Sequence, residues 1–199
     1  MAPSHRARFN GASVIPEGRF GTPLGNVDVD SDIGNKLMKM EGFAFIKEAH
    51  EYEHSLEVQV PFLQRSLKSF RIVPIVIGTT DISICKVLAQ GITEVLKDEK
   101  RRYVIVISTD LSHYYAYSTA KNLDSAFIDS LKNLKEDEVK KAIDTGKAEA
   151  CGEGPVLTGL MACKNLGAKL IEVLKYANSG DTAGSKDQVV GYLSAALVQ

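Results

Sequence analysis

The 199-residue chain has no tryptophan, three cysteines and no long apolar run. Cys85, Cys151 and Cys163 are too widely spaced to form a paired zinc motif or a disulfide framework. No stretch approaches the ~20 consecutive apolar residues that a bilayer span requires. The sequence therefore predicts no membrane span and excludes a disulfide-stabilised miniprotein. A thiol-reduced, cytoplasmic protein is the expectation.

An excess of one charge sign is also absent. The chain has 24 Lys and Arg against 25 Asp and Glu, which gives a formal net charge of -1. Proteins that bind nucleic acid or anionic lipid usually carry a basic excess, so we expect neither as a partner. With 44% hydrophobic and 25% charged residues, the composition is that of a folded globular protein. The length fits one domain.

Hydrophobic periodicity predicts alternating strands and helices along the chain. Two nearly continuous apolar runs, Phe70–Gly78 and Arg102–Ser108, are typical of strands buried on both faces. The other predicted strands are Ala12–Ile15, Val27–Val29, Lys169–Tyr176 and Val189–Val198, and Asn178–Asp187 is a polar loop. The predicted helices are Ser31–Met40 with Ser31 as its cap, Glu51–Lys68, Ile82–Lys97, Thr119–Leu134, Glu136–Thr145 and Pro155–Leu166. This order predicts an α/β fold with a mostly parallel or mixed central sheet flanked by helices.

Polar residues follow the second apolar run, where open α/β sheets bind their ligands. Asp110 and His113 come directly after Ser108, and Cys151 precedes a predicted helix. The positive end of a helix dipole favours a thiolate, and imidazole together with thiolate suits iron, copper or zinc. The residues alone leave simpler roles open. Asp110 also fits a helix cap, and Cys151 a small buried side chain.

His54 and Glu57 form a second candidate pair. Within the predicted helix Glu51–Lys68, their spacing places both on one face, where they suit a metal ion or a proton relay. A solvated ion pair explains the same spacing. The nearby His50 is expected at the surface. Three tyrosines are expected either to line a pocket or to pack at the edge of the sheet: Tyr114, Tyr115 and Tyr117.

Seven short sequence strings match the pattern of one protein family, and they are spread along nearly the whole chain. They are FGTPLG from Phe20, EHSLEVQVPFL from Glu53, IVPI from Ile72, STDLSHY from Ser108, CGEGP from Cys151, YANSGD from Tyr176 and VGY from Val190. On these strings, which keep the family's order, the chain resembles the Memo family. That family is also called the AmmeMemoRadiSam system protein B family. It is distantly related to LigB-type class III extradiol dioxygenases. The resemblance implies a single LigB-like three-layer α/β domain over residues 1–199.

The resemblance also implies a pocket built from two upstream histidines, the Asp and His of an S-D-x-S-H-Y segment, and the Cys of a C-G-x-x-P segment. Carried over by position, the implied metal ligands are His5, Cys151, Asp110 and His113. The implied catalytic groups are His113, Asp110 and Cys151, and the residues expected around the pocket are His54, Glu57 and Tyr114.

The family's first histidine, in a P-H-A-G segment, has no match in this sequence. We therefore expect the chain to lack the family's N-terminal strand and P-H-A-G loop. Loss of a central strand leaves backbone groups unpaired and opens the core. The chain is accordingly expected to be less stable than one extended to include that strand.

Two functions follow from the resemblance. The first is an iron- or copper-binding pocket with a redox-type role. The corresponding enzymatic expectation is a metal-dependent, dioxygenase-like oxidoreductase, although a thiolate ligand departs from the dioxygenases' set of two histidines and one carboxylate. The alternative is a non-enzymatic cytoplasmic effector that binds phosphotyrosine receptor peptides in cell-motility signalling, as animal members do. In a microbial setting the implied partners are AMMECR-like and radical-SAM proteins.

Overall fold

The computed structural model describes residues 1–182 and 184–199. Its α-helices are α1 (Ser31–Leu37), α2 (Lys47–His50), α3 (Val60–Ser66), α4 (Ile82–Leu96), α5 (Tyr117–Leu131), α6 (Glu136–Asp144) and α7 (Glu153–Asn165). Its strands are β1 (Ala2–Pro3), β2 (Ala12–Val14), β3 (Arg19–Thr22), β4 (Gly25–Asp28), β5 (Phe43–Ala44), β6 (Ile75–Ile77), β7 (His113–Tyr115), β8 (Leu170–Asn178) and β9 (Val189–Val198). A 3₁₀ helix spans Ser179–Asp181. The predicted loop Asn178–Asp187 includes Ala183, which lies outside the described residues.

The strands form three sheets. One has the order β1-β6-β2-β5, in which β1 is parallel to β6, β6 is antiparallel to β2, and β2 is parallel to β5. A second is the β3–β4 hairpin, and the third is antiparallel with the order β7-β9-β8. Helices flank the mixed sheet, so the prediction of a three-layer α/β fold is confirmed.

A continuous hydrophobic core joins the mixed sheet to the helices. Helix α4 presents Leu88 and Ile92 to this core, and α7 presents Leu157 and Leu160; these two helices pack against each other. Asp30 caps α1 by accepting a hydrogen bond from the Ile33 N–H, a role that the sequence had suggested for Ser31. No helix in the described ranges is both long enough and apolar enough to cross a membrane.

The predicted helix Glu51–Lys68 is wrong over its first half. The helix in this region, α3, begins at Val60, and Pro61 occupies its first turn. Proline fixes φ and lacks an N–H, which suits the first turn of a helix and not its interior. His54 and Glu57 therefore lie in the turns between α2 and α3 and do not share a helix face.

The two apolar runs are also shorter as strands than predicted. Phe70–Gly78 contributes the strand Ile75–Ile77 and one isolated bridge, from Ile72 to Val29. Arg102–Ser108 has no strand assignment, although the Ser108 N–H donates to the Met1 carbonyl. A strand requires a neighbour on at least one edge. Upstream of Val106, no described backbone segment supplies that neighbour.

Candidate functional site

The buried carboxylate of Glu53 lies beside two histidines, His5 and His54, at one end of the mixed sheet. His5 follows β1 and Glu53 lies between α2 and α3, and the Ser55 hydroxyl donates to the Pro3 carbonyl of β1 at 2.9 Å, which joins the two segments although His5 and Glu53 are 48 positions apart. The Glu53 side chain is 1% exposed. Its Oε1 lies 3.0 Å from His5 Nδ1 and 3.6 Å from His54 Nδ1.

Backbone donors hold this carboxylate in place. Glu53 Oε2 accepts the His5 N–H at 2.6 Å, and Oε1 accepts the N–H groups of His54 at 3.0 Å and Ser55 at 3.1 Å. Burial pushes the pKa of Glu53 upward, but the hydrogen bonds from His5 and Ser55 outweigh burial and hold the pKa at about 2. Glu53 is therefore ionised at neutral pH, and its Oε1 accepts the proton of a His5 Nδ1–H.

The two imidazole rings stack above one another. Their centroids lie 5.3 Å apart with an angle of 20° between the ring planes. One ligand atom from each of His5, Glu53 and His54 lies within 4.8 Å of the other two. Both histidines are reachable from solvent while the carboxylate is not. Two imidazoles and one carboxylate are a donor set that suits non-haem iron, and imidazole also suits copper and zinc.

A second cluster combines Asp110, His113 and Cys151. The Asp110 N–H donates to Cys151 Sγ at 3.2 Å, and His113 Nε2 lies 3.9 Å from Asp110 Oδ2. Asp110 caps no helix, because the strand β7 begins at His113. The structure thus places Asp110 next to both Cys151 and His113, but among the described residues the ligand atoms of these three do not all lie within 4.8 Å of one another. His5, the fourth residue of the implied ligand set, contacts Glu53 and His54, and its place among the ligands remains a prediction.

The prediction of a thiolate at Cys151 is not supported by its surroundings. Cys151 lies one residue before Gly152, the N-cap of α7. Burial raises the pKa of the Cys151 thiol, and the hydrogen bond from the Asp110 N–H offsets this only in part. Without a metal ion, Cys151 is therefore mainly a neutral thiol at pH 7.

A buried aspartate fixes the segment that carries Asp110 and His113. Asp124 of α5 is fully buried; its carboxylate accepts the Ser112 N–H at 2.9 Å and the Tyr176 hydroxyl at 2.7 Å. Burial, together with this hydrogen bond, raises the pKa of Tyr176 to about 12. Only a glycine fits at Gly191 of β9, because a Cβ there would lie 2.0 Å from Asp124 Oδ2.

An open cavity of about 890 Å³ is lined by one residue of the second cluster, Cys151, and by none of the first. Its lining includes Ser4, the residue before His5, and also Cys151. Lys140 contributes its ammonium group, which is held by Asp144 and by Glu153 at 2.9 Å. The cavity therefore gives a small molecule access to the thiol from the side on which β1 ends.

The remaining predicted residues have separate environments. Glu57 is exposed, and no ion pair among the described residues includes it. His50 is not a free surface residue, since its Nε2 lies 2.9 Å from Ser13 Oγ, its ring stacks on Phe45, and burial lowers its pKa.

The three tyrosines do not form one pocket wall. Tyr114 is 70% exposed, has a positive φ of 62° and meets the His113 ring edge-on at 5.9 Å between centroids. Tyr115 and Tyr117 instead donate hydrogen bonds, to Glu149 at 2.5 Å and to Asp181 at 2.7 Å. Of the three, Tyr114 alone contacts a predicted site residue in these interactions.

Sequence reasoning missed Glu53 and Asp124. Glu53 stands directly before His54, so the Glu-His-Ser string was an available signal. Its partner His5 is 48 positions away in sequence, and the contact between them is visible only in the folded structure. Asp124 had no local signal, because a single acidic residue in an amphipathic helix normally faces solvent.

Comparison of the sequence with known families defines the class of protein. The family model described as "Memo-like protein" matches residues 1–196. The chain belongs to the Memo-like family.

Curated relatives agree with this assignment. A MEMO1 family protein of Sulfolobus acidocaldarius is 39% identical over 196 residues, which cover 98% of this chain and 69% of the relative. A MEMO1 family protein of Methanobrevibacter smithii is 35% identical over 195 residues, covering 98% of this chain and 69% of the relative. A MEMO1 family protein of Methanosarcina mazei is 38% identical over 197 residues, which cover 96% of this chain and 72% of the relative.

Proposed function

We propose that this chain binds a transition-metal ion, iron or copper, through His5, Glu53 and His54, and that the ion serves a redox-type role. The observation that carries this proposal is the buried Glu53 carboxylate, whose Oε1 faces the Nδ1 atoms of both histidines at 3.0 and 3.6 Å. This geometry does not depend on the family resemblance. It offers two histidines and one carboxylate as ligands, a set that a site containing a thiolate lacks.

The chemistry of the donors fits the ion. Glu53 is ionised, so it offers a negative charge in a shielded position. A cation at this point would take the place of the proton that Glu53 shares with the His5 Nδ1. The partial exposure of His5 and His54 leaves room for water or substrate beside the ion. A bound iron or copper would supply one-electron chemistry and an attachment point for substrate.

Asp110, His113 and Cys151 form a second group of ionisable side chains. Cys151 lines a cavity that is also lined by Ser4, the residue before His5. Asp110, whose backbone N–H contacts Cys151, and His113 beside Asp110 would exchange protons with a molecule bound near the thiol. In this proposal they are acid–base groups, whereas the family resemblance makes them ligands.

The alternative function, binding of a phosphotyrosine peptide, requires cationic side chains for the phosphate. Arg8 and Lys140 line the cavity, but Lys140 is already held by Asp144 and Glu153. This distribution of charge favours the metal proposal over the phosphopeptide one.

The test is calorimetric titration of the chelator-treated chain with Fe(II), under anaerobic conditions, and with Cu(II). His54→Gln removes one exposed ligand with little risk to folding. We expect it to weaken metal binding by about tenfold or more, in the range seen when metal-site residues are lost. The matched control is Glu57→Gln, which changes an exposed carboxylate three residues away and should bind as the unmodified chain does. Unchanged affinity and stability in His54→Gln would make His54 a surface residue and contradict the proposal.

A further inference from the structure

Strand β8 is the outer strand of the sheet β7-β9-β8, and one of its two edges is open. Its residues, Leu170–Asn178, pair with β9 along the other edge. Among the described residues, no backbone hydrogen bond joins the open edge to another segment. The three strands of this sheet all lie at or after His113 in the sequence, and β1 takes no part in it. An open edge of this length offers N–H and C=O groups to a further strand.

Three apolar side chains of β8 are exposed to solvent. Leu170 is 44% exposed, Val173 is 41% exposed and Leu174 is 62% exposed. Two charged residues of the same strand, Glu172 and Lys175, are exposed as well. Neither of them forms an ion pair among the described residues. The strand therefore presents apolar area together with one acidic and one basic group that have no charged partner.

A β-bulge in the middle of β8 decides which of its side chains share a face of the sheet. The register with β9 shifts between Val173 and Lys175, so that β8 has an extra residue there. Glu172 pairs with Ala196 and Lys175 pairs with Ser194. Alternate residues of a strand lie on one face, and directly opposite residues share a face. Glu172 and Lys175 therefore lie on the same face of the sheet.

The other face of β8 is turned towards the core. Ile171 pairs with Leu197 and Tyr176 pairs with Leu193, and all four side chains pack against the hydrophobic core. The first half of β8 thus has an apolar residue on the core face and an acidic residue on the outer face. Its second half has an apolar residue on the core face and a basic residue on the outer face.

We propose that β8 pairs with β8 of a second copy of this chain, antiparallel, about a two-fold axis at the centre of Leu170–Ala177. This register sets Glu172 opposite Lys175 of the second copy, and the symmetry repeats the pair on the other side of the axis. On the core face it sets Ile171 opposite Tyr176 of the second copy. Each of these residues meets one on its own face, as directly opposite residues of an antiparallel pair do.

The two charges favour this partner over an unrelated strand. A charge on an edge strand normally discourages pairing, because it meets an apolar or like-charged neighbour. Glu172 and Lys175 are both neutralised by a strand that carries the opposite charges in the reverse order. An antiparallel copy of β8 has that order, so the edge is complementary to itself.

The proposal is tested by the oligomeric state of the full chain, measured by sedimentation velocity over a range of concentrations. We expect a reversible dimer with twice the 21.6 kDa mass of the chain. It should form at micromolar concentrations, because a single pair of strands is a small interface. Amide hydrogen exchange at low and at high concentration locates the interface, and exchange within Leu170–Ala177 should be slower at high concentration.

Two charge reversals provide a matched pair. Glu172→Lys places ammonium groups opposite each other across the axis, and Lys175→Glu places carboxylates there. Each variant alone should have a dimer dissociation constant raised by about tenfold or more, because like charges directly opposite are destabilising. An equimolar mixture of the two variants should recover the dimer, since each charge then meets its opposite. This recovery also shows that both variants fold. Glu57→Lys, which reverses an exposed charge outside β8, should dimerise as the unmodified chain does.

Three results would overturn the proposal. A chain that stays monomeric up to about 1 mM would leave the β8 edge to a different partner. A dimer that neither charge reversal weakens would have its interface elsewhere. Single variants that are monomeric and remain so when mixed would refute the antiparallel register.

Discussion

The Nδ1 of His5 lies 3.0 Å from Oε1 of Glu53, across 48 positions of sequence. Glu53 is nearly inaccessible to solvent and accepts further hydrogen bonds from three backbone N–H groups. One carboxylate therefore does two things: it fixes the turn before α3 to the end of β1, and it orients the exposed imidazoles.

Replacement of Glu53 by Gln should destabilise the chain. The amide cannot accept at both ends, so it leaves at least one backbone N–H of the three without its acceptor. We expect a loss of about 2–4 kcal/mol in the free energy of unfolding, as for other buried hydrogen-bond networks. Urea denaturation measures this loss. Glu57→Gln, at an exposed position in the same segment, should change stability by less than about 0.5 kcal/mol; similar losses in both variants would refute the role of Glu53.

The low pKa of Glu53 predicts acid sensitivity. Its pKa is about 2 in the folded chain against an ordinary value of 4.5. The stabilisation is complete above pH 5 and declines as the pH falls from about 5 towards 2, because the unfolded chain takes up the proton first. Denaturation of the metal-free chain across this range should show a steeper fall for the unmodified chain than for Glu53→Gln. If the stability of the unmodified chain and that of Glu53→Gln fall equally with pH, the Glu53 carboxyl does not have this lowered pKa in the folded chain.

Hydrophobic periodicity was sufficient to predict many of the helices and strands of this fold. It predicted β9 with its observed bounds and α4 to α7 within a few residues, because these elements are long and keep one period throughout. It failed around Glu51–Lys68, where Leu56, Val60 and Leu63 mimic a helical stripe but Pro61 delays the helix. The contact of Glu53 with His5 was beyond local reasoning, since the two residues are 48 positions apart in sequence.

Glycine at position 191 is a further point of sensitivity. A Cβ on Gly191 would meet Asp124 Oδ2 at 2.0 Å, and Asp124 is held by Ser112 and Tyr176. Gly191→Ala should therefore cost about 1–3 kcal/mol of stability, the usual effect of overpacking, measured by thermal unfolding. The control is Gly21→Ala in β3, where the closest atom to a new Cβ is 3.5 Å away. If Gly191→Ala leaves the thermal stability unchanged, α5 and β9 can move apart at little cost in free energy, and the prediction is wrong.

Cys151 should react slowly with alkylating reagents at neutral pH. Burial raises the pKa of its thiol above the ordinary 9.0, and the thiolate is the reactive form. In the metal-free chain, mass spectrometry of iodoacetamide-treated peptides should show the Cys151 rate rising by about tenfold per pH unit from pH 7 to pH 9. A rate that is already at its plateau at pH 7 would establish a thiolate and favour Cys151 as a metal ligand.

The most direct test of the metal proposal identifies the donor atoms. Cu(II) is added to the chelator-treated chain and to Cys151→Ser, His113→Ala and His54→Gln, and the absorption and electron paramagnetic resonance spectra are recorded. We predict nitrogen and oxygen ligation in the unmodified chain, unchanged in Cys151→Ser and His113→Ala, whereas His54→Gln should lose one of the two histidine nitrogens and bind copper about tenfold or more weakly. A thiolate-to-copper charge-transfer band that disappears in Cys151→Ser would contradict the account and place the metal at Cys151.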